Sequence, residues 1–355
     1  MSKYWSDVVK EIKPYVPGEQ PKDKVYIKLN TNENPYPPSP YVIKAIERAA
    51  NESLRLYPDP ACDSLRSVIA RYNNLKKEQV FVGNGSDEVL AFSFMAFFNP
   101  GDTIVFPDIT YSFYEVYASL FRLNYRNIPL NEDFELPVSK FFGESDGVVV
   151  ANPNAPTGKA VSANDIKSIA IGNMDKVVIV DEAYIDFGGE SSVKLVNEYP
   201  NVLVIQTLSK SRSLAGLRLG FAIGHEDLIE GLLRIKNSIN SYTLDRIALA
   251  GAEQAFLDEA YFKENVSKII NTRETITEKL RCLGFYVLDS KANFIFISHP
   301  NVSAEKLFWL LRENNILVRH FHKPRIDNYL RVSIGTDEEM DYFHKVVKNI
   351  LKNMT

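Results

Sequence analysis

Uninterrupted apolar runs, rather than alternating ones, set the rhythm of the first two-thirds of the chain. Short Val/Ile-rich blocks at residues 80–82, 103–106, 147–151, 177–180 and 202–205 have the pattern of strands buried on both faces of a parallel sheet. Between them lie stretches with apolar positions at helical spacing. Residues 40–53 carry Val42, Ile43, Ile46 and Ala49, and further helices are expected at 61–72, 89–98 and 111–118. Alternation of the two patterns predicts a doubly wound α/β unit with a mainly parallel central sheet. Beyond about residue 223 the rhythm changes. Long helical stretches at 227–240 and 258–283 precede a smaller α+β unit, with strands at 285–288, 294–297 and 330–334 and helices at 304–314 and from residue 337. The expected organisation is an N-terminal arm (1–28), a large domain (29–256) and a small C-terminal domain (257–355).

The polar breaks carry the candidate chemistry. Ligands in doubly wound folds gather beyond the carboxyl ends of the strands. There the chain places Gly83-Asn84-Gly85-Ser86-Asp87-Glu88, Asn154, Asp181 and Lys210. A glycine-rich turn opening a helix aims N–H groups at an anion. Its plainer alternative is a flexible turn with Ser86 as N-cap. Lys210 follows a buried strand, and a desolvated lysine loses its proton readily and becomes a nucleophile toward carbonyls. Arg218, between Leu217 and Leu219, suits a phosphate or carboxylate. A lysine, a carboxylate, a phenol or amide and a phosphate cradle together are what pyridoxal phosphate requires: an amine for its aldehyde, an acid for its ring nitrogen and donors for its phosphate.

Composition narrows the field without changing that picture. The formal net charge is −4, so no nucleic-acid polyanion is expected as a partner. Cys62 and Cys282 form no CxxC, so neither a disulfide framework nor a zinc site is expected, which suits a reduced, cytoplasmic protein. The first residues lack the apolar core of a signal peptide. The most apolar run, 89–98, is about half a membrane span.

Seven motifs in order make the chain resemble the fold-type I pyridoxal-phosphate aminotransferases, and among them the histidinol-phosphate group. They are residues 28–35 (KLNTNENP), 57–59 (YPD), 83–88 (GNGSDE), 152–158 (NPNAPTG), 181–184 (DEAY), 207–210 (TLSK) with 216–218 (GLR), and 330–336 (LRVSIGT). The resemblance implies that Lys210 binds the cofactor and is the catalytic residue, and that Asp181 pairs with the ring nitrogen. It implies that Tyr184 and Asn154 bond the ring hydroxyl, with Asn154 also touching substrate, and that Tyr111 stacks on the ring. Ser86, Asp87, Ser209 and Arg218 would hold the phosphate, and Tyr57 would reach the phosphate of a second subunit. That last role implies a homodimer with the active site at the subunit interface. Ala155 stands where the family loop often has a further asparagine.

For substrate, the resemblance points to Tyr15, Arg319 and Arg331, gripping either a phosphorylated amine or the carboxylates of glutamate. The neighbouring His320, His322, Lys323 and Arg325 are expected on a solvated loop. Threonine-phosphate decarboxylases and aromatic amino-acid aminotransferases share the fold and remain alternatives. A ligand-sensing regulator would need a DNA-binding module, for which the arm is expected to be too short.

Overall fold

A computed structural model describes residues 2–353. Met1 and residues 354–355, the extreme ends of the expected arm and small domain, lie outside the described residues. The arm holds helix α1 (Asp7–Glu11) and strand β1 (Ile27–Lys28). The strands β2 (Val80–Gly83), β3 (Thr103–Pro107), β4 (Asn124–Ile128), β5 (Gly147–Ala151), β6 (Val177–Asp181), β7 (Val202–Thr207) and β8 (Gly220–Gly224) form one seven-stranded sheet. Its order is β2-β8-β7-β6-β5-β3-β4. All neighbours are parallel except β8, which runs antiparallel to both β2 and β7.

The apolar runs are strands because each side of the sheet is covered. Val148, Val150, Val178, Val180, Val202 and Val204 face one core, whereas Val149, Ile179, Leu203 and Ile205 face the other. The first core is closed by α2 (Pro40–Ala49), α3 (Asp63–Tyr72), α6 (Ala163–Ile171) and α8 (Arg246–Leu257). The second is closed by α4 (Gly85–Phe97), α5 (Phe113–Leu120) and α7 (Glu226–Ile239). Period-two side chains with apolar partners on both faces leave no polar position in the run.

Helix α9 (Glu259–Cys282) leads to a second unit with its own core. Its antiparallel sheet has the order β12-β13-β10-β9, from β9 (Tyr286–Val287), β10 (Phe294–Ser298), β12 (Arg319–His320) and β13 (Leu330–Ser333). Helices α10 (Ala304–Glu313) and α11 (Asp337–Lys352) cover it. Strand β11 (Ile316–Leu317) instead pairs in parallel with β1, and Leu29 belongs to this second core.

Three sequence expectations are corrected. Strands β4 and β8 were not anticipated, because β4 is an exposed, polar edge and β8 is bounded by glycines. Helix α8 fills the stretch between the two long helices expected after residue 223. Helix α4 begins at Gly85 rather than at residue 89, so the glycine-rich segment is the first turn itself. Ser86 is therefore not the cap; Asn84 is, and its N–H donates to Glu88 Oε2 at 2.6 Å. Among the described residues no helix is long and apolar enough to cross a membrane.

Candidate active site

The carboxyl ends of β5, β6 and β7 and the start of α4 open into a cavity of about 440 Å3, roofed by the arm and by the β12–β13 turn. Lys210 and Asp181 both line it. Lys210 Nζ donates to Thr31 O (3.2 Å) and lies 5.8 Å from the Tyr184 ring centroid. Its backbone is pinned from the loop that follows β1, since Asn34 Nδ2 donates to Lys210 O (3.0 Å) and Ser211 O (3.1 Å). Asp181 is buried at the end of β6. Its Oδ2 accepts from Tyr114 Oη (2.8 Å) and its Oδ1 from Ala183 N (3.2 Å). Burial outweighs those donors and the nearby Lys210 charge, and pushes the carboxyl up to about 6. An acid so placed gains from a cation brought against it.

The phosphate-type cradle is built by leaving out Cβ atoms. Gly85 sits at φ +79, and a Cβ there would stand 2.5 Å from Arg218 Nη2. A Cβ on Gly220 would stand 2.3 Å from Ser86 N. Only glycine at both sites lets Arg218 and β8 close over the start of α4. The first-turn N–H groups have no intrahelical acceptor, and Ser86, Asp87, Ser209 and Arg218 all line the cavity. Arg218 reaches Ser209 Oγ (3.4 Å) and Asp87 Oδ2 (3.2 Å). Tyr111 Oη donates to Asp87 Oδ1 (2.9 Å), which sets its ring against the same end of the cavity. Together these residues fit a group with a phosphate at one end, a protonatable ring nitrogen at the other and an aldehyde between.

The opposite wall is cationic. Arg319 and Arg331 are direct cross-strand partners on β12 and β13. Like charges in that position repel. Arg331 Nη2 donates to Asn30 O (2.9 Å) and Arg319 Nη2 to Val16 O (3.4 Å), both carbonyls rather than carboxylates. Arg331 Nε is buried without a partner, and burial pulls the guanidinium below its ordinary value. Such a pair is built to receive an anion. Tyr15 lines the same wall, stacked on Phe113 at 4.3 Å between centroids, and burial raises its phenol. His320, His322 and Lys323 also line the cavity, on a loop that keeps His322 and Arg325 exposed as expected. Arg325 does not line it; it ties the loop to the large unit through Asp108 (3.0 Å) and the carbonyls of Leu130 and Asn131.

One expected residue is not brought in. Asn154 does not line this cavity, whereas its neighbours Pro153 and Ala155 do. Its amide is already engaged: Nδ2 donates to Ile109 O (2.9 Å) and Thr157 Oγ1 (3.0 Å), and Oδ1 accepts from Thr110 Oγ1 (2.8 Å). Those bonds hold the loop against the 109–110 backbone, and reaching the cavity would break them. Tyr57, expected to serve a second subunit, is 77% exposed and does not line the cavity of its own chain.

Conversely, the sequence gives Tyr114 no signal, and gives Asn32 a place in the 28–35 motif but no role. Asn32 stands at φ +55, is buried, and donates from Nδ2 to Tyr184 Oη (3.0 Å). Tyr114 is one of 18 tyrosines, and only its position beneath Asp181 reveals it. Tyr114→Phe keeps the ring against Phe106 but removes a donor from the carboxylate. Asp181 should then titrate higher still, moving the acid limb of the pH–rate profile upward; an unmoved limb would show that Tyr114 does not tune Asp181.

Comparison with known proteins adds the relationship. Residues 24–347 match the family Aminotransferase class I and II. The chain is 61% identical over 351 residues to the histidinol-phosphate aminotransferase of Clostridium acetobutylicum, covering 99% of this chain and 100% of that protein. It is 60% identical over 354 residues to the protein of the same name from Clostridium botulinum strain Okra, covering all of both. Among solved structures, histidinol-phosphate aminotransferase from Sinorhizobium meliloti in complex with pyridoxal-5'-phosphate superposes with a TM-score of 0.89 at 22% identity, over 100% of this chain and 99% of that one.

Proposed function

From the premise that the chain belongs to the class I and II aminotransferases, we propose that it is an enzyme transferring the amino group between L-histidinol phosphate and 2-oxoglutarate. The products are imidazole acetol phosphate and glutamate, the pathway is histidine biosynthesis, and the cofactor is pyridoxal 5'-phosphate. The observation that carries this reading is the carboxylate-free pair Arg319 and Arg331, facing the same cavity as Lys210 and Asp181. A pocket with that much uncompensated positive charge suits a phosphate or two carboxylates and disfavours a neutral side chain.

In this reading Asp181 faces the ring nitrogen, Tyr184 the ring hydroxyl and Tyr111 a ring face. Ser86, Asp87, Ser209 and Arg218 take the cofactor phosphate. The bound cofactor supplies an aldehyde for amines and a ring that draws electrons from the substrate carbon. Lys210 Nζ takes the proton from the amine-bearing carbon of the substrate. Among the described residues its only hydrogen bond is to a carbonyl, that of Thr31. Arg319 and Arg331 grip the substrate anion, and Tyr15 covers it. Asn32 keeps the Tyr184 hydroxyl oriented.

The remaining assignments follow from the same reading. Residues 29–256 form the cofactor-holding unit and 257–355 the smaller one, supported by the distinct clusters packed on their two sheets, with a small shared cluster of Ile109, Leu130 and Phe134 against Leu288, Phe296 and Ile326 and with β1 reaching across. The protein works in the cytoplasm, in keeping with its free Cys62 and Cys282. It acts as a homodimer with shared sites, supported by Tyr57 lying exposed, stacked on exposed Tyr242 and close in the chain to exposed Leu54 and Leu56.

The test is glutamate formation from 2-oxoglutarate with histidinol phosphate, phenylalanine or threonine phosphate as partner. Histidinol phosphate should be preferred by about 100-fold or more in kcat/KM over phenylalanine, which cannot pair with both arginines. Glutamate from phenylalanine but none from histidinol phosphate, or carbon dioxide released from threonine phosphate, would replace this reading by one of its relatives.

A further inference from the structure

Tyr57 is 77% exposed, yet the loop that carries it is pinned at three backbone oxygens. Arg246, the first residue of α8, donates from Nε to Leu56 O (3.2 Å) and from Nη2 to Tyr57 O (2.6 Å). Lys236 Nζ, on α7, donates to Pro60 O (2.7 Å). The Tyr57 ring lies on Tyr242, with 4.5 Å between centroids and 21° between planes. The two carbonyls taken by Arg246 belong to the two peptide planes that flank the Tyr57 Cα. A planar fork holding both planes fixes the direction in which the side chain leaves the backbone; a lysine, with one point charge, could not. Freezing an exposed residue costs entropy, and the cavity of the same chain makes no use of the ring.

The surroundings say where the ring is used. Asn84, the cap of α4, donates from Nδ2 to Thr243 O (3.4 Å), next to Tyr242. The Tyr57 patch therefore borders the start of α4, where Ser86, Asp87 and Arg218 form the phosphate cradle. In a two-fold dimer each patch meets its own copy. A patch beside the cradle then delivers its tyrosine to the cradle of the other subunit.

We propose that Arg246 is a positioning residue that acts in trans: by fixing the backbone of Tyr57 it sets that phenol against the cofactor phosphate held by the second copy of the chain. The inference rests on the shared-site reading above. Arg246 touches neither cofactor nor substrate, so its effect must travel through Tyr57.

The experiment uses holoenzyme and mixed dimers. Arg246→Leu should release pyridoxal phosphate on dialysis about tenfold more readily than the native dimer, the consequence of losing one charge-assisted hydrogen bond. Tyr57→Phe should do the same, and the double variant should be no worse than Tyr57→Phe alone. The decisive sample is a hybrid of one Arg246→Leu subunit with one Lys210→Ala subunit. The first contributes Lys210 and the second a properly held Tyr57, so one complete site forms, with about half the native turnover per dimer. A dimeric hybrid with half the turnover of the Arg246→Leu homodimer, rather than half that of the native dimer, would show that Arg246 acts within its own chain and would overturn the inference alone. A native protein that sediments as a monomer would overturn the shared-site reading, and the inference with it. Should the leucine variant fail to fold, Arg246→Lys, which keeps the charge but reaches one carbonyl, is read the same way.

Discussion

Lys210→Ala is expected to lower transamination by about four orders of magnitude or more, because it removes both a nucleophile and a proton carrier in one truncation. The loss should be chemical rather than structural. The loop bearing Lys210 is held by groups the substitution leaves intact: Asn34 on the Lys210 and Ser211 carbonyls, Ser211 on Asp186, and Arg212 with its guanidinium 4.2 and 4.0 Å from the Phe256 and Phe262 rings. The lysine amine itself gives up only one hydrogen bond, to Thr31 O. Melting temperature should therefore change little while glutamate formation disappears. Lys210→Arg should not restore it, since a guanidinium stays protonated. Turnover above about 1% of native in the alanine variant would mean that another group moves the proton.

Asp181→Asn should separate stability from activity. In the cofactor-free chain, burial raises Asp181 to about 6, whereas an unfolded aspartate titrates near 4. Between those values the folded chain holds a proton that the unfolded chain has lost. The group thus favours folding at low pH, and that contribution is lost as pH rises through about 6. Asparagine has no charge to bury: the Ala183 N–H can still donate to its Oδ1, and the Tyr114 hydroxyl can accept from its Nδ2. The cofactor-free asparagine variant should melt higher than native at pH 8 and converge with it near pH 4. Glu182, pushed up to about 7 by burial, acts in the same direction in both proteins and cancels in the difference. Turnover should fall on the order of 1000-fold, because the ring nitrogen loses its facing charge. A variant with no gain in stability at pH 8, or with near-native turnover, would contradict the role given to Asp181.

These two side chains were legible from the chain alone because each follows an uninterrupted apolar run. A strand buried on both faces announces itself without alternation, and its carboxyl end is where a doubly wound sheet binds ligands. The runs ending at Asp181 and just before Lys210 needed no structure to be recognised. The same logic failed for β4, whose exposed edge leaves no apolar run, and for β8, whose bounding glycines cut the run to Phe221–Ile223.

Apolar runs and motifs along the chain determined five of the seven sheet strands, the glycine-rich turn and the reacting pair, because each depends on local burial or on a short turn. Tertiary structure alone decided the rest, because it depends on which surfaces meet. It set Arg319 opposite Arg331 across a strand pair, put Tyr114 beneath Asp181, and turned Asn154 inward while presenting Ala155. It also brought His320, His322 and Lys323 to the cavity wall and left Tyr57 facing outward on a clamped loop. A side chain's direction follows from the hydrogen bonds and packing that distant segments offer it, and spacing along the chain carries no record of those partners.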